Sequence, residues 1–498
     1  MRIIIFSYNF SFSAERKAET KAEKPNIILI LADDMGYSDL GCMGGEISTP
    51  NLDGMAHDGL IYTQLYNVGH CCPSRASLMT GLYPHQTGLG WMTGKDFKLP
   101  GYTNELNRNC VTVAQVLKNA GYSTYMAGKW HLSHNEREDG PKYNWPLQRG
   151  FDKFYGIISG AGNFYDPATL CRNNNLISPY NDPNYKPENF YFTDAITDNA
   201  VQYLRETMNE NPFFLYVAYT CAHWPMQAPE VEIEKYKGKY SVGWDVLRQE
   251  RLKREKELGL VDIRTNLSPL DTHSWEEETD KPAMERKMET YAAMISIMDD
   301  GIGRIIDELK KEGKYNSTII LFLQDNGGNA EGTGFGGSEG QTTTVAKDTN
   351  AVRPLAKDEI QYNIIPPITR DGKMVKMGRH VMAGPSDTYL SYLKPWANLS
   401  NTPFRKYKNF SNEGGIATPL IIHWPDGIKS KGELRHEVSH EIDIMPTLLE
   451  LAGVSYPREF NQDTITPVSG VAWFQLFMVN PCRKGRFILS TKPIVPCG

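Results

Sequence analysis

Four continuous apolar runs punctuate the chain: NIILILA at 26–32, YSTYMA at 122–127, FFLYVAY at 213–219 and TIILFL at 318–323. They are short and rich in β-branched and aromatic residues, the pattern of strands buried on both faces. Helix-like segments lie between them at 111–120, 193–208 and 284–311. This alternation predicts an α/β fold, a mostly parallel central sheet sandwiched by helices. A fifth run, PLIIHW at 419–424, and a further helix at 443–451 extend the pattern. Two stretches interrupt it: 230–282 is charged and irregular, and 327–400 is rich in Gly, Thr and Pro. Both are expected to be long surface excursions, of the kind that form lids or substrate walls.

The 498 residues suffice for one large domain, or a large one and a small one. A net charge of −6 gives no basic surface for nucleic acid or an anionic membrane. No apolar run reaches the ~20 residues of an integral membrane span. The eight cysteines are scattered without a repeated CxxC pair, against a zinc ribbon or a dense disulfide framework.

Candidate chemistry gathers after the strands. Asp33 and Asp34 follow the first, Lys129 and His131 the second, His223 the third, Asp325 and Asn326 the fourth. Ligands of open parallel sheets bind beyond the strands' carboxyl ends, so four strands would deliver polar groups to one rim. Asp33, Asp34, Asp325 and Asn326 offer oxygen alone, which suits Ca²⁺ or Mg²⁺ and poorly suits zinc or copper. Taken singly, each pair also reads as an ordinary strand end, helix cap or turn.

The segment 71–81, CCPSRASLMTG, has Pro73 near a helix start and Gly81 at its end. Cys71 would then sit at a helix N-terminus, where a thiol is acidic and reactive. Cys71-x-Pro-Ser-Arg75 followed by Leu78-Met79-Thr80-Gly81 resembles the sulfatase signature. Further matches stand around it: 32–37 (ADDMGY), 49–53 (TPNLD), 128–132 (GKWHL), 325–327 (DNG), and Lys408 ahead of Glu413-Gly414-Gly415. The resemblance runs from about residue 25 to about 455. It is nearest to the bacterial arylsulfatases of the alkaline-phosphatase-like superfamily.

The resemblance implies sulfate monoester hydrolysis of aryl or carbohydrate sulfates. It implies that a formylglycine-generating maturation enzyme oxidises Cys71 to formylglycine, whose hydrate is the nucleophile. Asp33, Asp34, Asp325, Asn326 and the modified residue 71 would hold Ca²⁺, ahead of Mg²⁺. Arg75, four residues beyond Cys71, would face the same site. Lys129 would bind sulfate, and His131 would take a proton when sulfate is released. Lys129 and His131 are two apart, which in an extended segment places both on one face. His223 and Lys408 would contact the leaving-group oxygen, with His223 the general acid. Cys72, His70, His85 and His134 receive no chemical role.

The expected organisation is a disordered or degenerate signal-like segment (1–24), a catalytic domain (25–455), and a divergent or truncated C-terminal segment (456–498). Its small C-terminal domain would be shortened, leaving apolar sheet surface open to aggregation. The resemblance points to a periplasmic or secreted location, whereas the apolar N-terminus is interrupted by Asn9 and serines, which leaves a cytoplasmic location open. Two alternatives stand beside sulfate hydrolysis: a phosphate or phosphonate ester hydrolase of the same superfamily, and an inactive binder of sulfated ligands.

Overall fold

The computed structural model describes residues 24–207, 211–332, 343–346 and 352–473. In chain order the strands of the main sheet begin with β1 (Asn26–Ala32), β2 (Leu60–Tyr66), β3 (Ser123–Lys129), β4 (Lys153–Ile157), β5 (Leu170–Arg172), β6 (Asn175–Leu176), β7 (Phe213–Ala218) and β8 (Thr318–Gln324). The two-residue strands β9 (Thr343–Thr344) and β10 (Lys376–Met377) pair apart from it. β11 (Ala417–His423), β12 (Glu433–Arg435) and β13 (Ser439–His440) complete it, and β14 (Glu459–Phe460) pairs with β15 (Asp463–Thr464) elsewhere.

The main sheet runs β12-β2-β11-β8-β1-β7-β3-β4-β5-β6, with β13 also on β2. Its centre, β8-β1-β7-β3-β4, is parallel throughout. β1 shows why its apolar run is continuous. Ile28, Ile30 and Ala32 enter one core with the helices Phe192–Glu206 and Lys281–Lys311. Ile27, Leu29 and Leu31 enter the other, with Cys71–Thr80, Val113–Asn119 and Ile444–Leu451. A strand buried on both faces has no polar positions to alternate. The result is a mixed, mostly parallel sheet between two helical layers, an alkaline-phosphatase-like α/β fold.

The structure corrects several expectations. Residues 230–282 are not irregular: they contain the 15-residue helix Gly243–Glu257, with Trp244, Leu247 and Arg251 buried. Its charge disguised it, because Arg251 is buried by pairing with Asp39 and Glu46 at 2.8 Å each. The 327–400 stretch returns to the core through Leu393–Ser400, where Trp396 is buried. The strands β2 and β4 carried no recognised signal, and β11 runs antiparallel to both β2 and β8. Residue 208 of the expected 193–208 helix, and residues 474–498 of the C-terminal segment, lie outside the described residues. Among the described residues no helix is long and apolar enough to cross a membrane.

Candidate active site

β1, β3, β7 and β8 are parallel, so their carboxyl ends share one rim. That rim brings together all ten candidate residues, and each is buried. Asp33 and Asp34 leave β1; Asp325 and Asn326 leave β8. The two tips meet where the Asp34 N–H donates to Asp325 Oδ1 at 3.3 Å.

Cys71 begins the helix Cys71–Thr80, which ends on Gly81 in the left-handed conformation (φ 68°). One turn on, Arg75 donates through Nε (3.0 Å) and Nη2 (2.8 Å) to Asp325 Oδ2, and through Nη1 to the Lys129 carbonyl at 3.0 Å. Its Nη2 also lies 3.4 Å from Asp33 Oδ2. Lys129, the last residue of β3, donates to Asp33 Oδ2 at 2.6 Å.

His131 does not share an extended face with Lys129. Its backbone is left-handed (φ 55°), which turns the imidazole away from the strand so that Nδ1 lies 3.6 Å from Cys71 Sγ. Asp34 is left-handed as well (φ 60°). Such backbone costs about 1–3 kcal/mol and persists where its surroundings over-determine it. Gly160 is part of those surroundings: a Cβ there would stand 2.4 Å from the His131 ring.

Asp34 is the meeting point of the far side. Lys408 Nζ reaches its two oxygens at 2.8 and 3.1 Å. His223 Nε2 lies 3.5 Å from Oδ2. Asn326 donates to Oδ1 at 2.8 Å and Asn329 to Oδ2 at 2.7 Å. Beside this group a cavity of about 230 Å³ is lined by Asn329, Glu331, Lys394, Lys406, Lys408 and Phe410.

Three carboxylates thus face three permanent cations, and the balance sets the titration of the site. Burial raises the Cys71 thiol, but Lys129, Lys408 and His131 outweigh it and hold the thiol well below its ordinary range. Burial lowers His131 to about 4 against the opposing pull of Cys71, so the imidazole is neutral at pH 7. Burial opposes ionisation of Asp34, yet Lys408 and His223 keep its carboxyl lowered. Asp325 is raised by burial and by Asp33, with Arg75 opposing.

The site fits a hard cation on its own geometry. Asp33 Oδ1 and Asn326 Oδ1 are buried with no hydrogen-bond partner among the described residues. Ligand atoms of Asp33, Asp34 and His223 lie within 4.8 Å of one another. Unpartnered buried oxygens are costly, and an oxygen-liganded cation would satisfy them.

Sequence reasoning missed Asn329 and Glu331, which follow Asp325-Asn326 in the same strand-tip loop; that proximity was the available signal. His70, half-buried, lies 3.8 Å from Cys71 Sγ through Nδ1. His134 pairs with Glu105, and His85 with the Tyr102 hydroxyl, both at the surface. Cys42, Cys71, Cys72, Cys110, Cys171 and Cys221 are free thiols, while Cys482 and Cys497 lie outside the described residues.

A carboxylate cage at parallel strand tips, with a buried cysteine at a helix start beside it, is the arrangement of an alkaline-phosphatase-like hydrolase. The Sulfatase family profile matches residues 25–454, and the chain belongs to the sulfatase family. It is 34% identical to an uncharacterized sulfatase of Schizosaccharomyces pombe, over 93% of this chain and 81% of that protein. It is 32% identical to an arylsulfatase of Klebsiella aerogenes, over 93% of each. Among solved structures it resembles Ps i-CgsB in complex with k-i-k-neocarrahexaose (TM-score 0.58, 24% identity, 91% of this chain and 76% of that one).

Proposed function

We propose that this sulfatase, with residues 25–455 as its catalytic domain, cleaves sulfate monoesters of aryl or carbohydrate alcohols at this site. In this reading Cys71 is converted to formylglycine by a maturation enzyme, and Asp33, Asp34, Asp325, Asn326 and residue 71 hold Ca²⁺. The observation that carries it is the placement of Cys71 against His131, beside Lys129 and the two-strand carboxylate cage. The arylsulfatase relative and the oligosaccharide-bound neighbour support the two leaving-group classes.

When present, the cation held by Asp33, Asp34, Asp325 and Asn326 would withdraw charge from the sulfate and favour an ionised nucleophile, and an oxidised residue 71 would supply the attacking oxygen. The chain's own side chains divide the remaining work. Lys129 offers sulfate oxygens a buried positive partner. Arg75 spends its fork on Asp325 and the Lys129 carbonyl, fixing both in place. Neutral His131 is the proton acceptor at residue 71. His223 and Lys408, converging on Asp34, serve the leaving oxygen, His223 as general acid. All these donors are preorganised in a buried site, where each is worth more than in water.

The test is turnover of 4-nitrophenyl sulfate against 4-nitrophenyl phosphate after co-expression with a formylglycine-generating enzyme. Sulfate preference, loss of turnover in Cys71→Ala, and a lowered mass of the peptide carrying residue 71 are expected. A phosphate preference, or full turnover by Cys71→Ala, overturns the reading.

A further inference from the structure

We propose that Glu331 is a positioning residue that sets the spacing between His223 and Lys408, and so governs which leaving groups the enzyme accepts. The inference rests on the sulfate-ester reading above. His223 lies five residues beyond the end of β7, and Lys408 lies in the loop before the short helix Glu413–Ile416. Neither is carried by a strand or helix, yet their nitrogens converge on one carboxylate, Asp34.

The residue after each of them binds Glu331. Trp224 Nε1 donates to Glu331 Oε2 at 2.8 Å, and Asn409 Nδ2 donates to Glu331 Oε1 at 3.3 Å. Asn329 Nδ2 then links Glu331 Oε2 (3.1 Å) to Asp34 Oδ2 (2.7 Å), closing a ring around His223 and Lys408. The Glu331 backbone is pinned in turn: its N–H donates to Asn329 Oδ1 at 2.7 Å, and its carbonyl accepts from the Ser391 hydroxyl at 2.6 Å.

A carboxylate near a site for an anionic ester works against substrate binding, so its presence asks for a reason. The geometry supplies one. A carboxylate has two acceptor oxygens and no donor, so it can hold two separate N–H groups at a fixed separation. Glutamine keeps the shape but turns one acceptor into a donor. It therefore releases either the His223 segment or the Lys408 segment. Burial opposes ionisation of Glu331, and the Lys408 charge outweighs it, which keeps the acceptor charged.

Acid assistance matters in proportion to the basicity of the departing oxygen. A nitrophenoxide needs little help; a sugar or alkyl alkoxide needs a well-placed proton donor. Loss of Glu331 therefore discriminates between substrates, which a purely structural defect does not. The experiment compares kcat on 4-nitrophenyl sulfate with kcat on an alkyl or monosaccharide sulfate that the matured wild type turns over. Glu331→Gln and Glu331→Ala are measured alongside, with thermal melts.

The expected result is a fall of about threefold on the aryl substrate and about 30-fold on the alkyl or sugar substrate, at little change in KM. A double-mutant cycle with His223→Ala should be strongly non-additive on the second substrate, because both changes remove the same assistance. Should Glu331→Ala fail to fold, the near-isosteric Glu331→Gln carries the test. Equal losses on both substrates, or an additive cycle, overturn the inference and leave sulfate hydrolysis standing. A matured wild type with no sulfate-ester turnover defeats the functional reading, and this inference with it.

Discussion

Arg75 and Asp325 form a buried pair in which two guanidinium nitrogens converge on a single carboxylate oxygen, Oδ2, leaving Oδ1 to accept the Asp34 N–H. The pair ties the helix Cys71–Thr80 to the tip of β8. Both side chains are fully excluded from water. Removing one partner of such a pair strands the other charge, at a cost of about 3–5 kcal/mol. Arg75→Ala should therefore lose stability of that order in chemical denaturation, and its kcat should fall by about 100-fold or more because the helix that begins at Cys71 loses its tether. Arg75→Lys cannot reproduce a fork with a third bond to the Lys129 carbonyl, so it should restore stability more than turnover. Equal recovery of both would show that the pair only holds the fold.

Metal removal makes a separate claim. If Asp33 Oδ1 and Asn326 Oδ1 are ligands, stripping divalent ions with a chelator should abolish turnover and lower the melting temperature. Added Ca²⁺ should restore both, at lower concentration than Mg²⁺. A cation at 100 times its Kd stabilises the folded state by about 2.7 kcal/mol, which a thermal melt resolves. Asp33→Asn should raise the Ca²⁺ concentration needed for half-recovery. Full activity and an unchanged melt after exhaustive chelation would remove the cation from the mechanism.

The parallel centre of the sheet was legible because strands buried on both faces leave unbroken apolar runs, as β1 and β8 do. β2 was not, because Thr63 and Gln64 interrupt LIYTQLY, and nothing in the composition of β11 records that it runs antiparallel. The helix Gly243–Glu257 was hidden by its own charges: Arg248, Arg251 and Glu255 are buried, and the apolar period that marks a helix is lost among them. At the site, residue types at strand ends could be read, but not their joining. The room for the His131 ring is left by Gly160, distant in sequence, and the Glu331 ring is assembled from four loops.

That packing gives a sharp test. A methyl group at 160 would lie 2.4 Å from the Cε1 and Nε2 atoms of His131, so the imidazole would have to shift. Gly160→Ala should displace the imidazole from residue 71 and lower kcat by about 10- to 100-fold while leaving the circular dichroism spectrum intact. Gly54→Ala is the control. It sits mid-helix in Pro50–His57, where a Cβ meets nothing within 4 Å, and should stabilise by about 0.5–1 kcal/mol with activity unchanged. Undiminished turnover in Gly160→Ala would mean that His131 has room to move, or no part in the reaction.

Away from the site, Glu255 predicts a pH dependence of stability. Its side chain is fully buried, and neither carboxylate oxygen has a hydrogen-bond partner among the described residues. Burial raises its carboxyl from 4.5 to about 8, with Arg251 and Arg254 opposing. Because the folded value exceeds the unfolded one, the folded state binds more protons between the two. The contribution is present in full below pH ~4.5 and is lost as pH rises through about 8. At roughly 1.4 kcal/mol per unit, the loss across that window is on the order of several kcal/mol. Glu255→Met removes the titration and fills similar space. Its melting temperature should exceed that of the wild type by a margin that grows from pH 5 to pH 9. A margin that stays constant over that range would mean that Glu255 ionises in the folded protein as readily as in water.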